Sequence, residues 1–259
     1  HVVSAWCTEA GLSLGQVKTG HKSNEITAIP ELLEMLLLDG AIVTIDAMGC
    51  QKNIAEAIRA KNADYLLAVK DNHPKLSADI KDTFDKVFAR DNLPKSLLAH
   101  TTSESGHGRE EERTTYVYPV PAALYGREDW RDIKSLVMVE SLRTIAGETT
   151  TNHRFYISSL PPKKPELFQK AARAHWGIEN GLHWVIDLAF REDECRVRTG
   201  HGAENLARIR HIALNLLKQE RSTRLGIQNK RLRAGWDERY LRLLLGLHRI
   251  NNTASEANG

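Results

Sequence analysis

Cysteine is scarce in this 259-residue chain, and so are long apolar runs and net charge. The three cysteines, Cys7, Cys50 and Cys195, are scattered and form no Cys-x-x-Cys pair, so neither a disulfide framework nor a zinc knuckle is supported and buried thiols are expected. No apolar stretch approaches the roughly 20 residues that span a bilayer, the longest being the interrupted run from Leu32 to Thr44. Nor does a basic-then-apolar signal pattern open the sequence, and a cytoplasmic protein is expected. The formal charge of +3 is too small to announce a nucleic-acid partner. What is present, 41% hydrophobic and 27% charged residues, is the composition of a globular protein and excludes a disordered or collagen-like chain.

The small net charge is unevenly placed. Between Asn205 and Ile250 stand eleven basic residues, among them Lys230, Arg231 and Arg233, against Glu220, Asp237 and Glu238. Such a segment suits a phosphate backbone, and equally suits a set of solvated helix faces.

The chain opens on a β-rich run, His1 to Thr8, a turn at Glu9–Leu12 and a second strand from Ser13 to Lys18. This start predicts that an earlier strand of the same sheet lies upstream. Asn24 to Leu37 carries apolar residues at helical spacing and is closed by Asp39-Gly40. Ala41–Ile45 and Asp64–Lys70 read as buried strands around a helix from Gln51 to Lys61, an α/β pattern with a parallel crossover. Pro74 to Arg90 is helical in pattern. A β-rich insertion follows, with strands at Lys134–Ser141 and Arg154–Ser158 joined across Ala146-Gly147, and helical patterning continues from Pro165 to about Ile250. The expected organisation is therefore 1–73 as the first part of an α/β core, 74–160 as helix plus insertion, 161–250 as the helical remainder with its basic end, and 251–259 as a disordered tail.

Two places draw attention as chemistry. Asp46 ends a buried strand, where ligand sites form in open α/β sheets, although with Gly49 close behind it also reads as a turn former. From Ala172 to Asp187, a regular helix would set His175, Glu179, His183 and Asp187 in one polar stripe, each advanced by about 40° from the last, with Trp176 and Trp184 flanking a partly closed site. This is not the His-Glu-x-x-His pattern of zinc proteases. Carboxylates gathered from distant parts of a chain suit two Mg²⁺ or Mn²⁺ ions about 4 Å apart, as in phosphoryl transfer.

The runs Gly15–Thr19, Lys22–Pro30, Thr44–Gln51, Gly106-His107-Gly108-Arg109-Glu110 and His175–Trp184 closely resemble the H-repeat-associated transposases of bacterial insertion sequences, in order and down to about Leu245. The resemblance implies a DDE enzyme on a ribonuclease H-like core: a mixed sheet flanked by helices, with the β-rich insertion before the helix that carries the catalytic glutamate. It implies two divalent ions, Mg²⁺ or Mn²⁺, double-stranded DNA as partner at element ends and target, a homodimer on that DNA, and Asp46 and Glu179 as catalytic metal ligands. The family's first aspartate, in an Asp-Gly-Lys motif on the opening strand, has no counterpart here; between His1 and Lys18 only Glu9 is acidic. The wider Tyr-x2-Arg-x3-Glu-x6-Lys pattern is not met either, since Ala172, His175 and Ile186 hold those places. Arg173, His175, Arg231 and Arg233 are the candidate DNA contacts, Arg173 and His175 serving equally as metal-site support, with Asn180, His183 and Asp187 behind them in either role. A DNA-binding remnant without catalysis and a metal-dependent nuclease on the same core are the competing readings. The sequence predicts both opening strands in one sheet with Ala41–Ile45 and Asp64–Lys70, and the Asp46 and Glu179 carboxylates within about 8 Å.

Overall fold

A computed structural model describes residues 2–19, 25–106 and 108–247. His107, Arg249, the Lys22–Asn24 part of the second motif and the expected tail at 251–259 lie outside the described residues. The chain divides into two compact units, His1–Val3 with Val17–Trp176, and Ser4–Gln16 with Gly177–Gly259.

The first unit is built on a six-stranded mixed sheet. Strand β3 (Ile42–Ile45) runs parallel to β4 (Asp64–Val69), joined through helix α2 (Lys52–Ala60), as the β-branched runs and the intervening helical period require. Helix α1 (Glu25–Glu34) precedes this crossover and α3 (Pro74–Phe88) follows it. The β-rich segment then continues the same sheet through β5 (Leu98–Gly106), β6 (Arg109–Pro119), β7 (Ser135–Ile145) and β8 (Glu148–Ser158). The order is β3-β4-β8-β7-β6-β5, with β8 antiparallel to β4 and the hairpin at Ala146-Gly147 falling where the turn residues placed it.

Period-two alternation divides β4 between two cores. Tyr65, Leu67 and Val69 join Ile54 and Ile58 of α2 and Ile80 and Phe84 of α3 on one face. Leu66 goes to the other, with Val117, Val137 and Tyr156, beneath Phe168 and Ala172 of helix α4 (Pro165–Ala174). The sheet is thus covered on both sides by helices, the layered architecture expected of a ribonuclease H-like core.

The opening strands depart from expectation. Strands β1 (Val2–Cys7) and β2 (Leu12–Lys18) turn at Thr8–Gly11 and form their own two-stranded sheet, not part of the six-stranded one. The physical reason is local. Ser13 on β2 has its N–H and its carbonyl both engaged by the Asn215 amide, at 2.9 and 2.7 Å, so a side chain takes the place of a neighbouring strand. That asparagine lies on α6 (Gly202–Gln219) of the second unit, which also contains α5 (Trp184–Phe190), α7 (Ile227–Trp236) and α8 (Glu238–Leu244). Among the described residues this unit holds a buried apolar cluster of Leu182, Ile186 and Leu214, with Trp6, Ile178 and Phe190 packed around them.

Candidate functional site

Asp46 follows directly on β3, at the carboxyl end of the parallel pair. One of its oxygens accepts the Gly49 N–H at 3.3 Å, so the turn-forming reading of this residue is realised, and the exposed carboxylate keeps lone pairs free. The loop is fixed from several sides. Asn72 Nδ2 donates to the Ala47 carbonyl at 2.5 Å, and His73 Nε2 sits 2.6 Å from the Cys50 carbonyl while its ring meets Trp130 edge-on. Position 49 has room only for glycine, because a methyl there would overlap Ile45 Cγ2 and reach 3.0 Å from Ile29 Cδ1. Burial pushes the Cys50 thiol up to about 12, which makes it inert; Cys7 and Cys195 are only half-buried, contrary to the expected buried thiols.

Glu179 is presented differently. The regular helix expected from Ala172 to Asp187 does not form: α4 ends at Ala174, the chain turns at His175–Trp176, and Glu179–His183 is a π-helical turn in which the Trp184 N–H reaches back to the Glu179 carbonyl. The extra residue in that turn breaks the even 40° advance on which the His175-Glu179-His183-Asp187 stripe depended. Trp6 packs at this turn, its indole lying against Gly177 and Gly181; a Cβ at position 181 would stand 2.7 Å from Trp6 Cζ2. Glu179 is exposed, and its carboxylate makes no hydrogen bond or ion pair among the described residues. Asp187 is engaged otherwise, accepting the Asp193 N–H at 3.2 Å and so shaping the turn after α5. Trp176 and Trp184 do not close a site: they are 50% and 63% exposed. Nothing in a 3.6-residue period reports an interposed π turn, but the Gly177-x3-Gly181 spacing was a visible hint that something large packs there.

Each carboxylate taken by itself is an exposed oxygen donor with no basic side chain paired to it among the described residues, the donor chemistry that a hard divalent cation takes. Among the described residues no cluster of three or more His, Cys, Asp or Glu side chains stands ready to hold a metal.

The candidate DNA contacts are held by the protein itself. Arg173 forks onto Glu104 with both terminal nitrogens. Arg231 is half-buried, with its guanidinium 5.6 Å from the Phe190 ring, and Arg233 pairs with Asp237 at 3.1 Å while lying over Tyr240. His175 is half-buried and engaged. Counting charge along the C-terminal segment overstated its reach, because partners outside the counted stretch neutralise it: Arg208 pairs with Glu204 and Arg210 with Glu192. Lys230, counted there as a surface cation, is buried against Glu220 at 3.1 Å and also donates to two carbonyls.

Comparison with known proteins assigns this architecture. Residues 1–216 match the family model described as a transposase DDE domain. The "H repeat-associated putative transposase YhhI" of Escherichia coli is 42% identical over 250 residues, covering 95% of this chain and 65% of YhhI. Its relative YbfD, of the same description, is 49% identical over 124 residues, 48% of each chain, and an uncharacterised protein of Xanthobacter autotrophicus is 38% identical over 159, covering 61% of this chain and 52% of its own. The chain thus spans just under two thirds of the longer curated relatives it matches. With a match over most of its length and a mixed sheet layered between helices, the chain belongs to the transposase DDE domain family.

Proposed function

We propose that this chain is the catalytic domain of a DNA transposase, in which Asp46 and Glu179 ligate divalent metal ions. The observation that carries the reading is Asp46: an exposed carboxylate at the carboxyl end of the parallel β3–β4 pair, held by its own turn with lone pairs to spare, in a chain of this family. Water attacks the phosphorus at the element end and the bond to the 3′-oxygen breaks, leaving a 3′-hydroxyl. That hydroxyl then attacks a target phosphodiester and displaces the target's own 3′-oxygen. Bound Mg²⁺ or Mn²⁺ would supply Lewis acidity to the attacking and leaving oxygens. Asp46 and Glu179 hold charge and geometry for this, the Gly49 N–H and the Asn72 amide fixing the loop on which Asp46 stands. Arg173, His175, Arg231 and Arg233 meet phosphate in exchange for the protein partners they now hold.

The resemblance gives the family a third carboxylate on an Asp-Gly-Lys strand, so the assay uses a chain to which such a strand has been added ahead of His1. With an element-end duplex and Mn²⁺, Asp46→Asn or Glu179→Gln lowers cleavage and joining by at least about a thousandfold, the scale of removing a principal electrostatic group, while duplex affinity stays within about twofold. Undiminished joining by either variant overturns the assignment. Cleavage without joining by the unsubstituted protein identifies a nuclease, and duplex binding without either reaction identifies a DNA-binding remnant.

A further inference from the structure

The arginines of the β-rich strands all lie on one face. In the antiparallel register Arg109 is level with Ile145 and Glu148, Arg143 with Glu111 and Thr150, Arg113 with Ser141 and Asn152, and Arg154 with Val139 and Thr115. Residues directly opposite one another across a sheet share a face. The Cα atoms of these four arginines therefore stand on the α4 side at successive two-residue levels, in steps of about 7 Å along the strands, while the heads of Arg109 and Arg113 both reach Glu111. The reverse face of the same strands carries Glu110, Glu112 and Glu140 and no arginine.

The arginine face lines an open cleft of about 660 Å³ that Arg173 and Trp176 complete. Charge within it is only partly answered. Glu111 serves Arg113 and Arg109, and Glu104 serves Arg173. Arg143 and Arg154 pair with no carboxylate among the described residues, and both are exposed. Arg154 instead lies over the half-exposed Trp176 ring at 5.1 Å.

A point anion would need one convergent pocket. Two unanswered guanidinium groups rooted four residues apart along an open cleft fit a polyanion whose charges repeat along its length, and an exposed indole braced by a guanidinium offers its ring to a sugar or base. We infer that this cleft seats a nucleic-acid backbone, with Arg143 and Arg154 as the phosphate contacts and Trp176 packing against the adjoining nucleotide. The inference rests on the nucleic-acid reading proposed above, but not on Asp46 or Glu179.

The test measures binding of a fluorescein-labelled DNA duplex by the full chain, in EDTA and over a range of salt. The double variant Arg143→Glu/Arg154→Glu binds at least about tenfold more weakly, and its slope of log affinity against log salt is shallower by about 2, one for each lost phosphate contact. The control Lys81→Glu/Lys95→Glu makes the same change of net charge on exposed residues away from the cleft and shifts affinity less than about twofold. Equal losses in both variants would show an effect of net charge alone and overturn the proposal, as would no loss in the cleft variant. Should the reversals unfold the protein, Arg143→Gln/Arg154→Gln tests the same change in slope without introducing acids. If the unsubstituted chain binds no duplex at any salt, the nucleic-acid reading itself fails; if it binds and the cleft variants bind equally well, only the cleft assignment fails.

Discussion

The sheet unit and the helical unit each present one of the two candidate carboxylates, and they are held together by different physics. In the sheet unit, two apolar cores on opposite faces do most of the holding, and polar ties such as Asn72 to Ala47 merely tune a loop. In the helical unit, among the described residues, the apolar cluster around Leu182, Ile186 and Leu214 is accompanied by part-buried polar contacts: Glu220 with Lys230 and Tyr240, and Ser13 with Asn215 and His211. A carboxylate on the first kind of scaffold follows a packed strand, and hydrogen bonds close the loop on which it stands. On the second, its position depends on groups that can be unpaired, overpacked or titrated.

The sharpest way to break this contrast is to remove apolar volume from the sheet unit. Phe168 is completely buried and anchors α4 over the arginine face, so Phe168→Ala should cost about 3–5 kcal/mol in urea unfolding. Next in size is Lys230→Met. It leaves Glu220 buried beside Tyr240 without its cation, an expected loss of about 3 kcal/mol. Removing both charges as Lys230→Met/Glu220→Leu should cost less than Lys230→Met alone, since no charge is then left unanswered. A double variant worse than the single one would show that the pair itself is a net source of stability.

Two glycines sharpen the comparison at the carboxylates themselves. Gly49→Ala drives a methyl into Ile45 and should cost about 2–3 kcal/mol while disturbing the turn that holds Asp46. Gly181→Ala meets the edge of an indole in a looser surround and should cost about 1–2 kcal/mol, largely recovered when Trp6 is replaced by Leu. Thermal unfolding of the three variants checks both values, and failure of Trp6→Leu to relieve Gly181→Ala would mean that the π turn does not owe its shape to that contact.

The order of strands and helices in the sheet unit could be read from the amino acids because each element there obeys one period. Ala41–Ile45 and Asp64–Lys70 are β-branched or leucine-rich runs bounded by turns, and Gln51 to Lys61 has one apolar stripe. The helical unit could not be read as well, because its deciding contacts join residues far apart in sequence. No local pattern ties Ser13 to Asn215, Trp6 to Gly181, or Lys230 to Glu220. Asp46 was visible as a strand-end carboxylate and Glu179 as a member of a motif, whereas the arginine row was hidden in plain alternation: Arg109-Glu110-Glu111-Glu112-Arg113 looks like a mixed charge run until the pleat sends its arginines to one side.

The smallest expected effect is the pH response, and it separates the units because it belongs to the helical one. Burial, with a smaller contribution from the charge of His183, brings His211 down from its ordinary 6.5 to about 4, and its Nδ1 shares a hydrogen bond of 2.7 Å with Ser13 Oγ. A histidine depressed in the folded state contributes stability that is fully present above about 6.5 and is lost as pH falls toward 4, because the unfolded chain takes up the proton first. Glu220 adds a second, lower window. Burial would raise it, but hydrogen bonds from Ser222, Tyr240 and Lys230 outweigh that and hold it at about 2, so its contribution is present above 4.5 and lost between there and about 2. Urea midpoints measured from pH 7.5 to 2.5 should therefore decline in the unsubstituted chain and decline less between 6.5 and 4.5 in His211→Gln, whereas Glu220→Gln should flatten the curve only below pH 4.5. An unchanged slope in His211→Gln would place the acid sensitivity outside the Ser13–His211 contact.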